Sequence, residues 1–203
     1  MNIPQSVKDA YKEPHRKYHT TEHIESILEK IPMFVETYSM GADLIEALEI
    51  VAWYHDVVYE PGPQQPSNEQ TSAWAFRKWM REIDFSLTDN PVDEFYQDLI
   101  YWTIQGTKTH NSPSSWLGAI FFDLDLADMG TDKYAENAYK IREEFSVFSD
   151  LEWLAGRIKF LTDFASRPFI FHTSLGYSLW EENARYNIAS ELVHLKHRGP
   201  GGA

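Results

Sequence analysis

The chain contains no cysteine among its 203 residues. That absence excludes disulfides, thiolate nucleophiles, zinc fingers and cysteine-bound iron–sulfur clusters, and it leaves imidazole and carboxylate as the metal-binding chemistry. Positive charge is scarce as well: 18 Lys and Arg stand against 31 Asp and Glu, for a net charge of −13. Affinity for a nucleic-acid polymer rests on cations meeting phosphates, so no such partner is expected. No run approaches the roughly 20 apolar residues of a membrane-spanning helix, and Met1-Asn2-Ile3-Pro4-Gln5 has no basic stretch leading into an apolar one. A soluble, cytoplasmic protein without membrane attachment is expected. Alternating strand patterns and internal repeats are also lacking.

Helical periodicity is abundant. Ile24, Ile27, Leu28, Ile31 and Phe34 or Val35 recur at steps of three and four, which predicts an amphipathic helix over 21–39 with Pro32 as a candidate kink. A second helix is expected over 42–57, carrying His55 and Asp56 near its C-terminal end, before Pro61-Gly62-Pro63 and Pro66 break the pattern. Ser67 followed by Gln70 resembles a capping box for a helix to about Ile83, and Asn90-Pro91 offers a start for another ending near Gln105. Residues 107–115 read as a loop. Further helices are expected over 131–147, 149–166 and 177–196, punctuated by Gly130, Ser149 and Arg167-Pro168. A hydrophobic content of 43% suffices for one buried core, so a single all-α domain over 1–198 is predicted, with 199–203 as a flexible tail.

Three stretches carry chemistry. His55-Asp56 follows Val51-Ala52-Trp53-Tyr54, where a carboxylate is costly to bury unless paired or bound to metal. An isolated pair of this kind more often means a hydrogen-bonded core histidine beside a solvated aspartate. His19 and His23 lie four apart where a helix begins, and they share a face if the helix extends back to His19. One could bind metal while the other works beside it; the plainer alternative is a polar helix start. In Phe121-Phe122-Asp123-Leu124-Asp125-Leu126, acids are embedded among residues that should be buried, which calls for a cation unless one of them caps a helix.

In this order the three stretches resemble the HD superfamily of metal-dependent phosphohydrolases, whose signature is a histidine, a His-Asp pair and a distant aspartate joined by a helical bundle. The likeness is greatest to a group of predicted HD phosphohydrolases of about this length. It is carried by Arg16, Tyr18, His19 and His23; Trp53-Tyr54 before His55 and Asp56; Asn68, Glu69, Ser72 and Ala73; Thr107, Lys108 and His110; Asp125-Leu126; and Ile141, Arg142 and Glu144. Arg157, Glu182, Ala184, Arg185 and Asn187 extend it over nearly the whole chain.

The resemblance implies an HD-like bundle with His23, His55, Asp56 and Asp125 as ligands to a divalent ion, with Asp123 the alternative to Asp125. The ion would be Mn, Fe, Co, Ni, Zn or Mg, with a second metal conceivable. By likeness to the cyclic-nucleotide phosphodiesterases of the superfamily, His19 is the proton donor. Asp56 and Glu69 join it as catalytic candidates, Glu69 serving either to orient water or to favour its helix dipole. Arg16 and Lys108 are candidate phosphate clamps, with Tyr18, His110 and Arg142 as further substrate contacts, and Tyr18 could stack on a base. Arg142, Glu144, Arg157, Glu182 and Arg185 are otherwise expected to form ion pairs between helices.

The expected activity is hydrolysis of a small phosphorylated molecule, with nucleotide favoured by the superfamily. A di-iron oxygenase that uses His110 and Glu69 is the competing enzyme reading, and a silent nucleotide-binding module is a third. Association into a homo-oligomer stays open.

Overall fold

The computed structural model describes residues 2–82 and 94–198. Among these residues the secondary structure is helical throughout: α1 Gln5–Ala10, α2 Thr21–Tyr38, α3 Ala42–Tyr54, α4 Asn68–Glu82, α5 Glu94–Gly106, α6 Trp116–Leu126, α7 Tyr134–Glu144, α8 Asp150–Ala165 and α9 Ser174–Arg198. A short 3₁₀ turn, Ala127–Gly130, prolongs α6. The expected Asn90-Pro91 helix start and the tail 199–203 lie outside the described residues. No described helix is long and apolar enough to cross a membrane.

Local chemistry accounts for several boundaries. Ser149 and Glu152 form a reciprocal capping box that opens α8. Ser67 Oγ accepts the Gln70 N–H at the start of α4. Helix α2 runs through Pro32 without interruption and ends where Ser39 turns left-handed at φ 50°. Two boundaries decide where the site residues lie: α3 is shorter than the expected 42–57, while α2 begins at Thr21 as expected. Helix α3 stops at Tyr54, so His55 caps it and Asp56 lies beyond it. Helix α2 begins after Thr20, so His19 belongs to the preceding turn and not to a shared helical face.

Helices α3 and α6 are central. The former packs against α1, α2, α4, α5 and α6, and the latter also meets α2, α5 and α9. Helix α6 buries residues on every side, from Leu117 through Leu124, and therefore shows no apolar stripe. One contiguous apolar cluster runs from Val7 to Ile188 and includes Leu48, Val51, Ile120 and Phe121. Burying groups of this size stabilises the fold by roughly 1.5–3 kcal/mol each. The end of α3 and the end of α6 meet at this core, and their polar residues open from it.

Candidate metal centre

His55 is almost fully buried, and its Nδ1 lies 2.9 Å from the carbonyl of Ala52. A carbonyl only accepts, so Nδ1 carries the hydrogen and Nε2 of the neutral ring presents a lone pair. That Nε2 has no hydrogen-bond partner among the described residues. Two carboxylate oxygens nevertheless converge on it, Asp56 Oδ2 at 3.1 Å and Asp125 Oδ1 at 3.5 Å. Neither is aligned as a hydrogen bond. A lone pair facing two anions in a buried site requires a cation, either a proton or a metal.

His23, in the first turn of α2, completes the group. It is buried, and its Nε2 lies 3.0 Å from Asp125 Oδ1. One potential ligand atom from each of His23, His55 and Asp56 falls within 4.8 Å of the others. These residues form a group able to hold a metal ion, and the mixed imidazole and carboxylate donors suit a borderline or hard divalent cation. Asp125 stands beside them and turns its second oxygen to His110 Nε2 at 2.7 Å. Burial would raise the pKa of Asp125, but His55, His110 and His23 together hold it well below the ordinary carboxylate range. Asp56 is likewise lowered, with His55 and then His19 overcoming its burial.

Asp123, two residues earlier on α6, faces elsewhere. Its oxygens accept the backbone N–H groups of His172 at 2.6 Å and Thr173 at 2.8 Å, together with the Thr173 hydroxyl at 2.6 Å. It anchors the turn that leads into α9, and a Cβ at Gly176 would collide with its carboxylate.

His19 reaches the centre from the turn before α2. Glu144, buried at the end of α7, explains how. Its Oε1 accepts three successive N–H groups, from Lys17 at 2.7 Å, Tyr18 at 2.8 Å and His19 at 2.9 Å. Its Oε2 lies 2.9 Å from the Tyr59 hydroxyl and 2.7 Å from His19 Nδ1. The carboxylate holds the hydrogen of His19 on Nδ1 and so turns Nε2 towards Asp56 Oδ2, 3.8 Å away. Burial alone would lower the pKa of His19, but the hydrogen bond and charge of Glu144, reinforced by Asp56 and Asp125, raise it. The same pairing depresses Glu144 to about 2 against the cost of its burial.

The group opens on a cavity of about 450 Å³ whose walls include Tyr18, His19, Asp56, Glu69, Lys108 and His110. Two expected phosphate contacts have other duties. Arg16 is buried, and its guanidinium donates to Glu13 and to the carbonyls of His19, Asp56 and Val57. It therefore cross-links the turns that carry His19 and Asp56. Arg142 donates to the Phe145 and Phe148 carbonyls and to Asp150, which ties α7 to α8 outside the cavity.

The expected ion pairs take a different form from the one read in the sequence. Arg157 pairs with Glu191, and Arg185 pairs with Glu181. Glu182 is exposed, and Glu144 orients His19. Arg167, read only as helix punctuation, donates to the carbonyls of Thr109 and His110. His172 Nε2 also reaches the His110 carbonyl, at 2.9 Å. These bonds hold His110 in its left-handed conformation, φ 50°, against Asp125.

Comparison with known proteins returns no family model, no curated protein and no solved structure that matches this chain. The chemistry of the site therefore rests on its own residues.

Proposed function

We propose that this protein is a metal-dependent hydrolase of a small phosphorylated substrate, working in the manner of the HD phosphohydrolases its motifs resemble. The observation that carries the reading is the lone pair of His55 Nε2, unpaired among the described residues and facing two carboxylates beside His23. A divalent ion held by His23, His55 and Asp56, with Asp125 alongside, would supply Lewis-acid and water-activating chemistry.

The remaining steps belong to the chain's own side chains. Lys108, exposed at the cavity wall, attracts the phosphate in an otherwise acidic protein. His19, whose pKa the hydrogen bond and charge of Glu144 raise, would offer its Nε2 proton to the departing oxygen, while Glu144 steadies the imidazole against rotation. Glu69 lines the same cavity, where a carboxylate can orient an attacking water. A nucleotide substrate follows from the resemblance alone.

A panel of phosphorylated metabolites, incubated with protein loaded in turn with Mn²⁺, Fe²⁺, Co²⁺, Ni²⁺, Zn²⁺ and Mg²⁺, tests the proposal. Turnover should appear with at least one ion and vanish in His55→Ala and Asp56→Ala. Full metal content and undiminished turnover in both variants would refute the assignment.

The contact between His110 and Asp125 favours one alternative, a second iron and oxygen-dependent chemistry. Two irons per chain and turnover that stops under anaerobic conditions would establish it instead.

A further inference from the structure

A second chamber of about 520 Å³ adjoins the first, and the two share His19, Tyr59, Glu69 and Arg157 as walls. Its own lining is aromatic: Phe145, Phe148 and Trp153 close it together with Gly62 and Pro63. The Phe145 ring centre lies 5.9 Å from that of Phe148 and 5.4 Å from that of Trp153. The proline-rich loop seen in the sequence forms its outer wall. Gly62 sits at φ 103°, and a Cβ there would come within 2.7 Å of the Phe148 ring, so the loop backbone packs directly on that ring.

Three of the polar groups around this chamber are already engaged. The Tyr59 hydroxyl donates to Glu144. The Glu152 carboxylate accepts from the Ser149 backbone and hydroxyl. Arg157 is held by Glu191, with its guanidinium carbon 6.0 Å from the Trp153 ring centre and 5.3 Å from that of Phe160. A nucleobase seated against these three groups would bring several donors and acceptors to side chains whose hydrogen bonds are taken, and burying them unpaired is costly. A flat apolar ring would instead meet other rings edge to face.

From this we infer that the organic half of the substrate is an aromatic, largely apolar group that occupies the chamber walled by Phe145, Phe148 and Trp153, with its phosphate at the Asp56 and Lys108 end. The inference rests on the phosphohydrolase reading for the phosphate, but the chamber can be tested without turnover.

The test is titration calorimetry of the full chain with Mn²⁺, using propylphosphonate, 3-phenylpropylphosphonate and adenosine monophosphate. The phenyl compound should bind about tenfold or more tightly than the propyl compound, as expected for burial of an apolar ring. That ratio should fall within about threefold in Trp153→Ala and in the milder Phe148→Leu, with folding checked by circular dichroism. Equal affinities for the two phosphonates, no binding of either, or tightest binding of adenosine monophosphate would overturn the inference.

Turnover of the matching phosphate monoesters separates the two claims, since both have primary alkoxide leaving groups. Hydrolysis of both at equal kcat/KM would sink the chamber assignment and leave the hydrolase standing. Selective binding without hydrolysis under any ion would do the reverse.

Discussion

Asp123 and Asp125 stand two residues apart on α6 and lead different lives. Asp123 is enclosed by two backbone N–H groups and one hydroxyl, all neutral donors already aimed at it. Asp125 faces His23, His55 and His110, groups whose ring nitrogens can surrender protons. Burial raises the pKa of Asp123 despite its three donors, whereas the imidazoles hold Asp125 far below its ordinary value. Burial of an acid therefore does not identify a ligand. What matters is whether its partners form a closed set of donors or a set of shared lone pairs that a cation can join.

The contrast predicts its own largest effect. Asp125→Asn should cut kcat/KM by at least about a thousandfold and sharply lower the metal content measured by atomic absorption. Asp123→Asn should leave metal content intact. The opposite result would exchange the two assignments.

His19 is next. His19→Asn and Glu144→Gln should each lower kcat by about a hundredfold on alkyl phosphates, the scale of lost proton transfer, with metal still bound. An aryl phosphate whose leaving group needs no proton should lose only a few fold. Equal losses on both substrates would mean that these residues merely support the fold.

Much of this arrangement was legible in the sequence, for reasons that also explain the rest. His55-Asp56 stood out because ionisable groups lie at the end of an apolar run, where chemistry must compensate burial, whereas the preference for Asp125 over Asp123 came from the resemblance alone. The amphipathic stripe of α2 and the Ser149 cap were local and readable. Helix α6 was not, since a helix buried all round has no period. Nor was Glu144, whose partners are backbone N–H groups at the far end of the chain. Arg16 read as a phosphate clamp because sequence displays its charge and hides the three carbonyls that it binds. Folding converted a candidate binder into a brace, and turned Arg167 from punctuation into the support for His110.

Stability tests the same division. Asp123→Asn leaves buried donors facing a neutral amide, and it should cost about 2 kcal/mol, read as a lower midpoint in urea denaturation. Asp125→Asn, tested without metal, should cost at least as much, because the imidazoles that hold Asp125 ionised in the fold lose their counter-charge. A clearly smaller loss would mean that these contacts add nothing to the stability of the metal-free fold.

Glu144 lies between these extremes, with a closed set of backbone donors on one oxygen and an ionisable partner on the other. Its carboxyl is depressed from 4.5 to about 2 in the folded chain. A group whose folded pKa is lowered adds stability that is complete above its unfolded value and disappears as pH falls towards the folded one. Lowering the pH from about 4.5 to about 3.5 should therefore remove roughly 1 kcal/mol of the Glu144 contribution. Other carboxylates titrate in this range, so the informative quantity is the gap in unfolding free energy between wild type and Glu144→Gln. That gap should narrow on acidification, because protonated Glu144 then resembles its amide substitute. A gap that stays constant between these pH values would show that Glu144 holds the His19 turn by shape alone, without a contribution from its charge.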